Sequence, residues 1–572
     1  MRNAPVLTSP RPLHQRQNGP PSAFILALAA LEDLELWSVD ISSAYLYGDI
    51  SEDVYMELPE GSTRIPAGHA LKLLKSLYGL KQAGHQWHLK LHEVLSSMGY
   101  KRVRCEHSVW VYETAASGTR VIVPVFIDDM TIAAKSVEEV RAFIDELSKH
   151  FKLRDLGPTK WLLGVEIERD RESRKLSMSQ RQYILDVLER ASMTDCNPVT
   201  TPMDPKVQLT ANDCPKSAED VAKMKNIPYL HILGAIAYLA VATRPDIAYA
   251  VGVLSRFSKN PGWTHWIALK RVLRYLKGTI DQKLTFSGTM GEQGEFFTTY
   301  SDADHGGNPD NGRSTSGFVI MMGGGAISWS SRLQSFVTLS TTEAEYVSAV
   351  SAGQEIIWLQ NLLEELGYRR DGGATLLIDN QSAISVAKNP DHHGRVKHLD
   401  LRFYWLRDVV AEKRILVEHC STVDMTADVM TKGLGREKME KISRTSSRRE
   451  IDIDTISEAP GYLAAISLDS FSAGTSPDRM PSLSPLGSPS RLAVSSESRA
   501  TIPAGVRLML LPGCPELRRS YIARRRRLSM SISVDRLPPP ARGEGGWLLQ
   551  RAGGDTQAAG PHCFPAILAL ES

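Results

Sequence analysis

Two aspartates stand side by side at 128 and 129, between the apolar runs Val121 to Ile127 and Met130 to Ala134. That pattern reads as a β-hairpin with an acidic tip. Adjacent carboxylates repel one another unless one is protonated or a divalent cation neutralises them, so Asp128 and Asp129 suggest a metal site. A second β-prone run, Trp37 to Ile41, carries Asp40 and is followed by Ser42, Ser43, Ala44 and Tyr45 and a Gly48-Asp49 turn, which makes a third carboxylate available. Taken alone, an Asp-Asp pair is also ordinary turn chemistry, because Asp is a preferred turn residue.

A second set of acids lies further along, each at the end or opening of an element. Phe296 to Tyr300 reads as a strand ending at Asp302, and Gly317 to Met322 and Ala326 to Ser330 read as strands joined through Gly323, Gly324 and Gly325. Ser340 and Glu343 have capping-box spacing, and an amphipathic helix is expected from there to about Leu366. On it Glu345 shares a face with the small residues Ser348, Ala349 and Ala352, which would let the backbone lie close to a sheet, while Glu343 projects elsewhere. Thr375 to Ile378 is a further strand with Asp379 at its end, Asn380, Gln381 and Ser382 open another helix, and Ala427-Asp428 begins a last short helical stretch. Any one of these acids alone would usually be a solvated surface charge.

The elements that must position these acids are spread over 572 residues, enough for two or three domains, and the apolar share of 42% is ordinary for globular protein. A formal charge of +2 from 67 basic and 65 acidic side chains gives no global signal for nucleic acid, so any basic surface must be local. The cysteines at 105, 196, 214, 420, 514 and 563 lie far apart, which fits a reducing compartment and excludes a recognisable zinc knuckle. The apolar run Phe24 to Leu31 is followed directly by Glu32, Asp33 and Glu35, which argues against a secretory leader. No stretch reaches the roughly 20 apolar residues that span a bilayer, so the chain is expected to be soluble, with no membrane partner. There is no G-x-x-x-x-G-K-[ST] loop of a nucleotide-binding phosphotransferase.

The fold class expected is α+β. Residues 1–21 are proline-rich and expected to be disordered, and the first helix is the apolar run ending near Leu36. In 22–195, Val121 to Ile127 and Trp161 to Ile167 read as strands, and Val137 to His150 and Gln180 to Ala191 as helices. Residues 196–228 hold five prolines among polar residues and read as a connecting segment, 229–290 reads as helical, and 291–441 reads as a second, α/β unit. Lysine disappears after Lys441, and 442–572 turns to Ser, Pro, Arg and Gly, a tail expected to be disordered. Arg524 to Arg527 in that tail could serve as a nuclear address or phosphate contact; a chance run in an unselected tail accounts for it more simply.

Several blocks resemble copia-type LTR retrotransposon Pol polyproteins, in the family's order: Val39 to Asp49, Val54 to Gly61, Ser76 to Ala83 and Phe126 to Asp129, then Tyr300 to Asp304, Arg313 to Phe318, Ser340 to Tyr346, Asp379 to Ile384, Lys397 to Arg402 and Ala427 to Lys432. The resemblance runs from about residue 24 to 441. It implies a reverse transcriptase palm with a thumb and connection at 229–290, then an α/β ribonuclease H-like domain. In the palm, Asp40, Asp128 and Asp129 would hold two magnesium ions, one activating the primer 3′-hydroxyl and one stabilising the leaving pyrophosphate. Tyr45 would lie under the incoming deoxynucleoside triphosphate's sugar; an ordinary core tyrosine is the plainer alternative. Lys81, Gln82, His85 and Trp87 form a cluster able to touch the backbone of an RNA template, although an amphipathic helix surface explains them almost as well.

In the second unit the resemblance implies that Asp302, Glu345, Asp379 and Asp428 bind two magnesium ions, with manganese as the alternative ion, and that water attacks the RNA strand of an RNA:DNA hybrid. His392, His393, Arg395, Lys397 and His398 form a basic segment able to meet the hybrid's phosphates, with zinc binding the alternative. Two departures stand out. His305 takes the place of the family's usual tryptophan, and only Arg2, Arg11 and Arg16 precede Asp40. The basic fingers that grip the triphosphate are therefore expected to be missing, as from an N-terminal truncation, and polymerase activity on a DNA primer to be impaired. The competing expectation is a non-catalytic nucleic-acid-binding relic. For the family, a cytoplasmic particle or the nucleus is the expected location.

Overall fold

Between Ala23 and Leu31 the chain carries no polar side chain, and a helix apolar all round must be covered on every side. It forms α1 (Ser22–Glu32), with Ala23 to Leu31 all buried. The expected extension to Leu36 does not occur. Asp33 adopts the left-handed conformation at φ 52°, Leu34 N–H closes on Ala29 O at 2.9 Å, and the chain leaves the helix as a strand. The structure, a computed structural model, describes residues 22–58, 69–114, 118–288, 296–368, 372–388 and 404–446, all within one compact unit. The expected disordered start and most of the expected tail lie outside the described residues, as do Arg395, Lys397 and His398.

The first part holds β1 (Glu35–Ile41), β2 (Tyr55–Met56), β3 (Leu71–Lys72), α2 (Ala83–Ser97), β4 (Lys101–Arg102), β5 (Val109–Glu113), β6 (Arg120–Phe126), β7 (Asp129–Ala134), α3 (Val137–Ser148) and β8 (Leu153–Pro158). Six of the strands make one sheet in the order β4-β5-β6-β7-β1-β8. Alternation places Trp37, Val39 and Ile41 of β1 in a core with Trp87 and Leu91 of α2 and Phe143 and Leu147 of α3.

The expected single strand Trp161 to Ile167 is instead a hairpin, β9 (Trp161–Leu162) and β10 (Val165–Asp170). Leu163 and Gly164 both have positive φ, as a two-residue type I′ turn requires. β11 (Lys175–Ser179), α4 (Arg181–Arg190), α5 (Ala218–Lys225), α6 (Tyr229–Ala242), α7 (Ala248–Ser255), α8 (Trp263–Gly278) and β12 (Leu284–Ser287) follow, and the sheet order is β12-β11-β10-β9. The segment 196–228 is tied down as well as connecting. It contains α5, Arg274 Nε donates to Asn197 O at 2.7 Å, and Arg271 donates to Thr201 Oγ1 at 2.9 Å.

The last part is a mixed sheet of β13 (Thr298–Ala303), β14 (Thr315–Met322), β15 (Gly325–Leu333), β16 (Ala374–Ile378) and β17 (Ile415–His419), with α9 (Thr341–Glu365), α10 (Gln381–Lys388), α11 (Trp405–Ala411) and α12 (Arg436–Ser446). Its order is β15-β14-β13-β16-β17, antiparallel through the first three and parallel from β13 to β17. Helix α12 runs past the expected boundary at 441 because Ile442 is a core residue. α9 is buried on more than one face rather than amphipathic. Trp358 Nε1 donates to Cys105 O at 3.0 Å, and Glu365 accepts the backbone N–H groups of Arg104 and Cys105. One apolar core therefore runs from α1 through α6 and α8 into β15 and α9, across the boundary expected between 290 and 291.

Candidate active sites

Asp40 and Asp129 are cross-strand partners in the β1–β7 ladder, and Asp128 sits in the two-residue turn that joins β6 to β7. Ligand atoms of all three lie within 4.8 Å of one another, with Asp40 and Asp128 buried. The turn itself is strained. Ile127 has φ 58° at the first central position of a II′-like turn, a place that normally takes glycine, and a β-branched residue there costs about 1–3 kcal/mol. Two hydrogen bonds hold it: Ile41 N–H donates to Asp128 O at 2.9 Å, and Trp87 Nε1 donates to Ile127 O at 2.8 Å.

Trp87 is therefore not the nucleic-acid contact expected of it. It is 3% exposed and packs edge-on to Phe151, with ring centroids 5.2 Å apart. The amphipathic reading of α2 accounts for it: Trp87, Leu91, Val94 and Leu95 are its inward stripe. Lys81 is exposed, and Gln82 is partly buried with its amide 3.3 Å from Glu52 Oε2. Tyr45 is partly buried beside the acids. Its ring lies 4.4 Å from that of Tyr78, whose hydroxyl is 3.5 Å from Asp128 Oδ2.

In the second cluster, Asp302 lies on the central strand β13, Glu345 in the second turn of α9 and Asp379 just beyond the parallel neighbour β16. Their ligand atoms again lie within 4.8 Å of one another. Small residues make the approach possible, as their spacing implies. Ser348 Oγ donates to Asp302 O at 2.8 Å and accepts Gly317 N–H at 3.2 Å, stitching α9 to two strands. Glu343 points away and caps the helix, accepting Leu339 N–H at 2.7 Å. Asp428 is buried in the 3-10 turn Thr426–Met430, outside the group of three, and pairs with Lys432 and Lys438.

Burial, reinforced by the Asp302 and Asp379 charges, pushes the Glu345 carboxyl up to about 9, and burial pushes Asp302 up to about 6. Glu345 Oε1 accepts Ala303 N–H at 3.2 Å, while Oε2 is buried with no hydrogen-bond partner among the described residues. An orphaned carboxylate oxygen in an all-oxygen donor set fits a hard divalent cation such as magnesium. Sequence carries no signal for the hydrogen bond of Trp87 to Ile127 O, marks Ser348 only as small and shows Lys432 only as part of a matching block.

Residues 22–205 match the family described as reverse transcriptase (RNA-dependent DNA polymerase). The chain is 42% identical over 417 residues to the retrovirus-related Pol polyprotein from transposon TNT 1-94 of Nicotiana tabacum, which covers 73% of this chain and 31% of that protein. It is 35% identical over 423 residues to the Pol polyprotein from transposon RE1 of Arabidopsis thaliana, covering 73% of this chain and 28% of that protein. The chain thus spans about a third or less of these two relatives. It is also 31% identical over 323 residues to the putative transposon Ty5-1 protein of Saccharomyces cerevisiae, covering 56% of this chain and 100% of that protein. With a relative matched over its whole length and Asp40, Asp128 and Asp129 inside the matched reverse transcriptase segment, the chain belongs to the reverse transcriptase region of the copia-type retrotransposon Pol polyprotein family.

Proposed function

We propose that this chain carries two magnesium-dependent activities, DNA synthesis on an RNA template at Asp40, Asp128 and Asp129 and cleavage of the RNA strand of RNA:DNA hybrids at Asp302, Glu345, Asp379 and Asp428. The observation that carries the reading is the pair of carboxylate clusters, each with ligand atoms within 4.8 Å, on two different sheets. Divalent ions held there would neutralise charge at the reacting phosphates and polarise the attacking oxygen.

The chain's own residues do the positioning. Trp87 and Ile41 pin the strained turn that presents Asp128. Tyr45, packed on Tyr78, offers a rigid ring beside that aspartate, where it would meet the sugar of an incoming deoxynucleoside triphosphate and disfavour a 2′-hydroxyl. In the nuclease part Ser348 locks the Glu345 helix onto β13, and recognition of the RNA strand would use its 2′-hydroxyls. Lys81 and Gln82 would contact template and primer, and Arg395, Lys397 and His398 the hybrid's phosphates. The polymerase part is assigned to 22–195, the connection to 229–290 and the nuclease part to 291–446.

Primer-extension and hybrid-cleavage assays on the purified chain test this. Asp128→Asn should abolish extension and leave cleavage, and Asp302→Asn should do the reverse. Tight hybrid binding with no magnesium-dependent turnover in either assay would overturn the reading in favour of a non-catalytic binding relic.

A further inference from the structure

An ammonium group stands between Asp302 and Asp428. Lys432 Nζ is 2.9 Å from Asp428 Oδ1 and 3.4 Å from Asp302 Oδ2, and Lys438 pairs with the other Asp428 oxygen. The two carboxylate side chains are 2% and 1% exposed, whereas that of Lys432 is 41% exposed, so the amine reaches in from the solvent side of a buried pocket. Lys432 follows Asp428 by four positions in the chain, which keeps the amine tethered beside its partner.

Charge counting gives this arrangement a consequence. With all four ionised, as ligation of a cation requires, Asp302, Glu345, Asp379 and Asp428 bring four negative charges, and Lys432 and Lys438 return two. The remainder is what one divalent ion neutralises. Neighbouring acids do not change the count, because Asp424 pairs with Lys441 and Asp304 lies in the field of Arg256. A second divalent ion would leave the buried pocket with two net positive charges, a cost that departure of one ammonium halves. Glu345 Oε2 and Asp428 Oδ1 are both buried without an aligned hydrogen bond. For Asp428 Oδ1 the Lys432 contact is thus an ion pair that offsets charge without satisfying the oxygen's geometry.

We infer that Lys432 is a built-in cation bridging Asp302 and Asp428, so that the substrate-free nuclease site takes one divalent ion at Asp302, Glu345 and Asp379, and a second enters only by displacing the Lys432 ammonium. This rests on the nuclease reading of the four acids. Manganese bound per chain is counted by electron paramagnetic resonance on the full chain, with Asp40→Asn, Asp128→Asn and Asp129→Asn removing the polymerase cluster. With Lys432 present we expect one magnetically isolated ion; Lys432→Met should double the count and give a spin-coupled pair, while Lys432→Arg should stay at one.

Two ions beside an intact Lys432 would overturn the inference, as would a folded Lys432→Met chain that still binds one; either result leaves the nuclease reading standing. Lys432→Gln replaces the methionine variant if circular dichroism shows that variant unfolded, with the same expectation. No ion in any of these chains would overturn the nuclease reading and the inference with it.

Discussion

Replacing Glu345 by glutamine should stabilise the metal-free protein while destroying its nuclease. The Glu345 carboxyl is held at about 9 by burial and by Asp302 and Asp379, against an ordinary value of 4.5. The folded state therefore keeps a proton that the unfolded chain releases above pH 4.5, and stability falls as pH rises from there to about 9. At about pH 7 the cost is on the order of 3 kcal/mol, two and a half units at about 1.4 kcal/mol each, and near pH 5 it is below about 1 kcal/mol. Glutamine removes the titration and keeps a carbonyl to accept Ala303 N–H. In excess chelator, urea denaturation followed by circular dichroism should show Glu345→Gln more stable than the unaltered chain, by a margin that grows with pH. Saturating magnesium should narrow or reverse that margin, because the ion stabilises only the chain that binds it. A variant less stable than its parent at neutral pH in chelator, or a margin independent of pH, would refute the electrostatic account of this pocket.

Trp87→Phe keeps most of the core contact but orphans Ile127 O; it should cost about 1–3 kcal/mol and lower the turnover of primer extension more than primer-template affinity. Trp87→Ala, which also leaves a cavity, should cost about 3–5 kcal/mol in the same urea titration. Gly317→Ala should separate the activities, since its Cβ would lie 2.5 Å from Met430 Cβ and push away the turn that carries Asp428; hybrid cleavage should fall at least tenfold while primer extension is unchanged. Arg244→Met leaves Asp246 buried without the guanidinium that meets it at 2.7 Å, which should lower stability by about 3–5 kcal/mol in urea denaturation.

Sequence alone was enough for local matters. The alternation around Asp40, the interrupted apolar run at Asp128 and the small residues after Glu345 mark strand, turn and close-packed helix because side-chain periodicity is a property of neighbours in the chain. The same residues, met in the family's order, pointed to two clusters of acids, and the structure does draw six of the seven into two groups.

What sequence could not decide depends on partners distant in the chain. An apolar or aromatic residue signals burial in either of two ways, and only the fold shows that Trp87 faces Ile127 O rather than a template. The run from Gly323 to Gly325 looks like a turn, but its small size is required by β12: a Cβ on Gly325 would lie 2.5 Å from Thr285 O. Helices α1 and α9 carry no single polar face that sequence could use to orient them, because strands and helices from both halves of the chain close over them. Lys432 reads as one lysine among many until folding sets its amine between two buried carboxylates, since the strength of an ion pair depends on the burial of both partners and their separation, and neither is written in the local sequence.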